Sequence, residues 1–152
     1  MVRKTPIYFH LSETYPPLGA LGYVDAAKEL LDQYNEFDVF VVASGSAATH
    51  AGLLAGLSGS GLKAVVIVCC VRRDAALQGP RINKVLERLA DFYSPANNVI
   101  RQDIHVWDGA LAPSYGRIGP KSLGANKLMA SQEGFFLIPF TQQKAFLPYY
   151  LL

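Results

Sequence analysis

Two apolar runs constrain the fold more than anything else in this chain. They are "DVFVVAS" at 38–44 and "KAVVIVCCV" at 63–71. Neither alternates polar with apolar residues, as a strand with one wet face would. Continuous β-branched runs are what strands covered on both faces look like, and such strands pair in parallel sheets whose crossovers are helices. The intervening segments fit. "YVDAAKELLDQY" (23–34) has Val24, Ala27, Leu30 and Leu31 at helical spacing, and a small-residue helix pattern runs from Thr49 to Leu57. Turn residues at Ser58 to Gly61 stop that helix. Pro80 is placed to open a further helix, "PRINKVLERLADFY", with Ile82, Val85, Leu86 and Leu89 on one face.

The pattern continues to the C-terminus. "DIHVWD" (103–108) reads as a third strand and "GALAPSYGRIGPKS" as a Gly/Pro-rich loop. "SLGANKLMASQEG" is a helix closed by Gly134, "FFLIP" (135–139) a fourth strand, and the tail a short helical end. "PIYFHL" (6–11) suits an edge strand or arm. The expected class is therefore α/β, a three-layer α/β/α arrangement with a mostly parallel sheet. Ligands of such sheets sit beyond the C-terminal ends of the strands.

Composition narrows the function classes. The 152 residues suffice for one domain with a real core. At 51% hydrophobic and 17% charged the chain is apolar for its size, which calls for a doubly covered sheet or a sizeable partner interface. Its net charge of +2 comes from scattered basic residues, so no nucleic-acid footprint is expected. Cys69 and Cys70 are adjacent inside an apolar run and read as core residues. His10, His50 and His105 lack metal-ligand spacing, and Asp103 and Asp108 read as a carboxylate pair or as turn residues. No apolar leader or membrane-length run is seen, so a soluble cytoplasmic protein is expected.

The chemistry concentrates in "VVASGSAATHAGLLAGL" (41–57), a strand, a small-residue loop and a helix start. Small residues let backbone N–H groups approach an anion, and the helix adds its positive dipole end. The residues alone leave two readings open: phosphate binding, with hydroxyls from Ser44, Ser46 and Thr49, or plain Ser/Thr capping. Neither a Walker loop nor a GxGxxG fingerprint is present. His50, at the helix start, reads as an anion contact or a surface group. Ser46 is not in a GxSxG elbow, which argues against a hydrolase.

That stretch, with "LGALGYVDAAKEL" before it and "APSYG" and "SQEGFFLIPFTQQKAF" after it, resembles the D-cysteine desulfhydrase and 1-aminocyclopropane-1-carboxylate (ACC) deaminase family. These are pyridoxal-phosphate enzymes of the tryptophan-synthase β-like fold, and the resemblance implies their larger domain. It assigns the cofactor phosphate to Ser44, Gly45, Ser46, Ala47, Ala48 and Thr49. Ala48 stands where the family usually has glycine, so a Cβ there is expected to crowd the phosphate or oppose a positive φ. Tyr115 matches a tyrosine facing the substrate. Pro139 and Lys144 match the last block, whereas Thr141 stands at a tyrosine position and Gln142 at that of the pyridine-ring partner.

The family's cofactor-bearing lysine lies in a G-N-K-x-R block upstream of the residues matched here, together with a small substrate-closing domain. None of Lys4, Lys28, Lys63, Lys84, Lys121, Lys127 or Lys144 corresponds to it. The resemblance therefore implies that residues 1–152 form a single truncated domain that keeps a phosphate loop without that lysine. Such a chain is a remnant or split part of a deaminase or desulfhydrase, with pyridoxal phosphate held non-covalently and no activity alone. A homodimer is the expected assembly, with a separate chain supplying the missing half. The alternative is a non-enzymatic oligomerising or small-anion-binding module on the same scaffold.

Overall fold

The computed structural model describes residues 15–62, 64–111 and 115–137. In chain order these form α1 (Leu18–Gln33), β1 (Val39–Ser44), α2 (Ala48–Ser60), β2 (Val65–Cys70), α3 (Ala75–Leu89), β3 (His105–Trp107) and α4 (Pro120–Gln132). Two short 3-10 turns, Ser94–Asn98 and Arg101–Asp103, join α3 to β3. The sheet is wholly parallel with order β1-β2-β3. The α/β class expected from the sequence is the one observed.

Register explains which residues meet which layer. Phe40 pairs with Val66, Val42 with Val68 and Ser44 with Cys70, while Val68 pairs with Val106. A 1-2-3 order with right-handed crossovers places α2 and α3 on one face of the sheet. The core agrees: Val66 and Val68 pack with Leu53, Leu54 and Leu57 of α2 and with Ile82, Val85 and Leu89 of α3. The alternate residues face the other way. Val39 and Val65, the first residues of β1 and β2, are 44% and 39% exposed, while Trp107 at the far end packs on Ala110 and on Ala125 of α4.

α1 belongs to the same core through α2. Its buried residues Ala20, Val24 and Ala27 form a helical stripe. They meet Gly52 and Gly56, where a methyl would overlap the Ala20 carbonyl or sit 2.6 Å from the Ala27 Cβ. The two backbones can approach this closely only because both residues are glycine.

Several boundaries differ from expectation. α1 starts at Leu18 rather than Tyr23, because Ala20 is drawn into the α2 seam. α2 runs past the turn residues Ser58 and Gly59 to a left-handed Gly61. α3 starts at Ala75, and Pro80 lies inside it. Its start is set by Asp74, whose Oδ1 accepts from the Leu77 N–H at 2.9 Å, and by Asp108, whose Oδ2 accepts from the Ala75 N–H at 2.9 Å. Asp108 is thus a cap, and Asp103 likewise closes a turn by accepting from the Ile100 N–H. Of the fourth strand, Phe135–Leu137 take no place in the sheet; 138–139 and the 6–11 segment lie outside the described residues. No described helix is long and apolar enough to cross a membrane.

Candidate functional site

The chain leaves β1 at Ser44 and enters α2 at Ala48, so 45–47 form the loop at the C-terminal end of the sheet. Ala47 makes the corner with φ 78°, the left-handed region that L-residues rarely enter. The strain expected at Ala48 therefore falls one residue earlier, and Ala48 is an ordinary first helical residue. Helix α2 has no side-chain cap at Ala47. The capping role considered for the Ser/Thr residues is not realised there. The contrast with α3, whose first-turn amides are met by two carboxylates, lies within one molecule.

The next βα unit holds this loop. Gln78 is fully buried, and its Nε2 donates to Ser44 Oγ at 2.8 Å. An Arg73 guanidinium nitrogen donates to the Gly45 carbonyl at 2.9 Å, and Arg81 Nε donates to the Ser46 carbonyl at 3.2 Å. The Val71 N–H continues the ladder to the Ser44 carbonyl at 3.2 Å. Gly45 itself leaves little room, since a Cβ there would lie 3.3 Å from Val71.

A cavity of about 310 Å³ opens beside the loop, bounded by Ala43, Gly45, Ser46, Val71, Arg72, Arg73, Arg81 and Tyr115. Tyr115, 70 residues on from Gly45, lines the same cavity as the loop, and it is 55% exposed. The three arginines were not singled out in the sequence. Their signal is the pair Arg72-Arg73 just beyond an apolar strand, where a parallel sheet places its ligands. Lys84 lines an adjoining cleft that shares Arg73 and Arg81. Gln142, Thr141 and Lys144 lie outside the described residues.

His50 is neither a surface group nor a rim residue. It is fully buried, and neither ring nitrogen has a hydrogen-bond partner. Burial pushes its pKa down to about 4, and His105 adds a smaller push in the same direction. The Val66 backbone opposes the shift without a hydrogen bond of good geometry. Cys69 and Cys70 are buried in the core, as expected; burial, with the neighbouring Cys70 thiol, lifts Cys69 to about 12, and burial, with the charges of Asp108 and Asp74, lifts Cys70 to about 11. Such thiols are inert at neutral pH. Among the described residues no group of three His, Cys, Asp or Glu is placed to hold a metal.

The chain is 40% identical over 131 residues to the D-cysteine desulfhydrases of Salmonella paratyphi C and Salmonella choleraesuis. The match takes in 84% of this chain and 39% of each relative. It also superposes on the crystal structure of an ACC deaminase homologue with a TM-score of 0.74 at 27% identity, over 88% of this chain and 40% of that one. Sequence and structure together support the D-cysteine desulfhydrase and ACC deaminase family for the matched part of this chain. It spans about two fifths of the length of the curated relatives it matches and shares the tryptophan-synthase β-like fold. No family model matches the chain.

Proposed function

We propose that this chain grips the phosphate of pyridoxal phosphate at Ser44–Thr49. One observation carries the reading: α2 enters from a left-handed corner with no side-chain cap, whereas α3 is capped twice. Uncapped first-turn amides suit an anion. Arg73 and Arg81, bonded to the loop's carbonyls, place positive charge behind it, which favours the same sign of ligand. The residues therefore fit the cofactor's phosphate. When bound, pyridoxal phosphate supplies an electron sink for chemistry at an amino acid's α-carbon. The chain's own share is to bind and orient. The loop amides and the Ser46 and Thr49 hydroxyls hold the phosphate, and Tyr115 at the cavity rim meets a small amino acid; the family likeness assigns the ring to Gln142, outside the described residues.

Catalysis, deamination or sulfhydryl elimination, would require a lysine from a partner chain carrying the G-N-K-x-R block. This chain alone holds the cofactor non-covalently. The test is titration with pyridoxal phosphate, followed by its visible absorption, then borohydride treatment and dialysis. The expected result is saturable binding that inorganic phosphate competes away and that dialysis removes even after borohydride. Absence of binding would overturn the phosphate loop; cofactor fixed to one lysine would overturn the lysine-lacking part.

A second reading, an oligomerising anion binder without catalysis, is favoured by the half-open sheet face at Val39 and Val65. In that case sedimentation would show a dimer or larger assembly that forms without any second chain.

A further inference from the structure

We infer that Arg73 and Arg81 are positioning residues that aim the amides of the loop, a role resting on the phosphate-loop reading above. The carbonyls of Ser44, Gly45 and Ser46 are consecutive in the chain, and each is held from the β2–α3 side. Val71 N–H takes the first, Arg73 the second and Arg81 the third. A trans peptide is planar, with its C=O and the next N–H on opposite sides. Holding the Gly45 carbonyl therefore turns the Ser46 N–H away from Arg73. Holding the Ser46 carbonyl turns the Ala47 N–H away from Arg81.

In a plain extended strand successive carbonyls alternate in direction. Three in a row tied to the same neighbouring unit leave three successive N–H groups, those of Gly45, Ser46 and Ala47, pointing from the opposite side. Successive amides so grouped make an anion-binding concavity. The left-handed Ala47 is the backbone turn that such a concavity needs, and it carries a strain that something outside the loop must balance. Two charge-assisted bonds to carbonyls, with the buried Gln78–Ser44 bond beneath them, supply that support. The spacing is economical. Gln78 and Arg81 are three apart and share a helix face, so one side of α3 holds both the root and the crest of the loop.

The roles separate cleanly. A group that only touched the anion would leave the ligand-free loop unchanged when removed. A positioning group alters the loop first and affinity as a consequence. The test uses the whole chain and three variants, Arg73→Met, Arg81→Met and Arg73→Lys. Two measurements are made: affinity for inorganic phosphate by 31P NMR, and the backbone amide resonances and exchange rates of Ser46 and Ala47 without phosphate.

Each Met variant is expected to weaken phosphate binding about tenfold. Each should also shift the Ser46 and Ala47 amides in the phosphate-free protein, with the melting temperature within about 3 °C of the parent. Arg73→Lys should restore most of both, since an ammonium can still donate to the Gly45 carbonyl. Loop amides unmoved in both Met variants would overturn the positioning role, whatever happens to affinity. If the parent chain binds no phosphate while the amides still shift, the phosphate-loop reading falls and the bracing stands. Should Arg73→Met fail to fold, Arg81→Met and Arg73→Lys carry the same comparison.

Discussion

The body of α2 and its entry loop are held by opposite means. Its body lies against α1 through Gly52 and Gly56, where backbone meets backbone and no side chain intervenes. Its entry loop is held by side chains of the β2–α3 unit, Arg73 before the helix and Gln78 and Arg81 within α3, which reach polar atoms of Ser44, Gly45 and Ser46. The seam has no slack, so any added atom must displace a helix. The loop is tied by bonds that can be removed singly while the core stays closed. Close packing is thus concentrated in the body of α2 and side-chain bracing at its tip.

The sharpest way to break this comparison is to make one substitution in both facing helices. Gly52→Ala should destabilise by about 3 kcal/mol, because the new Cβ overlaps the Ala20 carbonyl. Gly22→Ala in α1 meets open space and should instead stabilise by about 0.5 kcal/mol through helix propensity. Urea unfolding reads both, and equal signs would disprove the seam.

A comparable effect is expected from acid. His50 stays neutral in the fold because burial lowers its pKa to about 4, whereas the unfolded chain protonates it near 6.5. Its contribution is therefore fully present above pH 6.5 and is lost as pH falls from there towards 4. At about 1.4 kcal/mol per pH unit, the loss between pH 7 and 4.5 approaches about 3 kcal/mol. His50→Leu, which also removes two unpartnered buried nitrogens, should flatten that acid limb in chemical denaturation at a series of pH values.

Smaller effects sharpen the contrast at the helix starts. Asp74→Ala removes the α3 cap and should cost about 1 kcal/mol. Ala47→Gly should gain about 0.5 kcal/mol by relieving the positive φ. Ala48→Gly should lose about 0.5 kcal/mol, because Ala48 is already helical. Thermal melts of the three variants decide which of Ala47 and Ala48 carries the strain.

Much of the architecture was legible because it follows from local patterns. β1 and β2 read as strands from their continuous apolar runs, and the parallel sheet, the strand-loop-helix at 41–57 and the order of elements came with them; the full cover expected on both faces was not met, since Val39 and Val65 are half-exposed. Boundaries were less legible where a distant partner sets them. Asp108 caps α3 from 33 residues away, and Gly52 and Gly56 draw the first turn of α1 into the seam. The loop residues were found from their composition and family likeness. The arginines bracing them were not, since a guanidinium's partner is a carbonyl that no sequence pattern marks.

The sequence by itself determined the class of fold, the family likeness and the strand, small-residue loop and helix start at 41–57, because hydrophobic period and small-residue loops are properties of neighbouring residues. Only the tertiary structure decided that Ala47 rather than Ala48 takes the left-handed turn, that His50 is sealed in the core, and that Arg73, Gln78 and Arg81 hold the loop. Each of those depends on where the chain returns in space, and the crossover from β1 through α2 to β2 brings residues 44–46 beside 71–81.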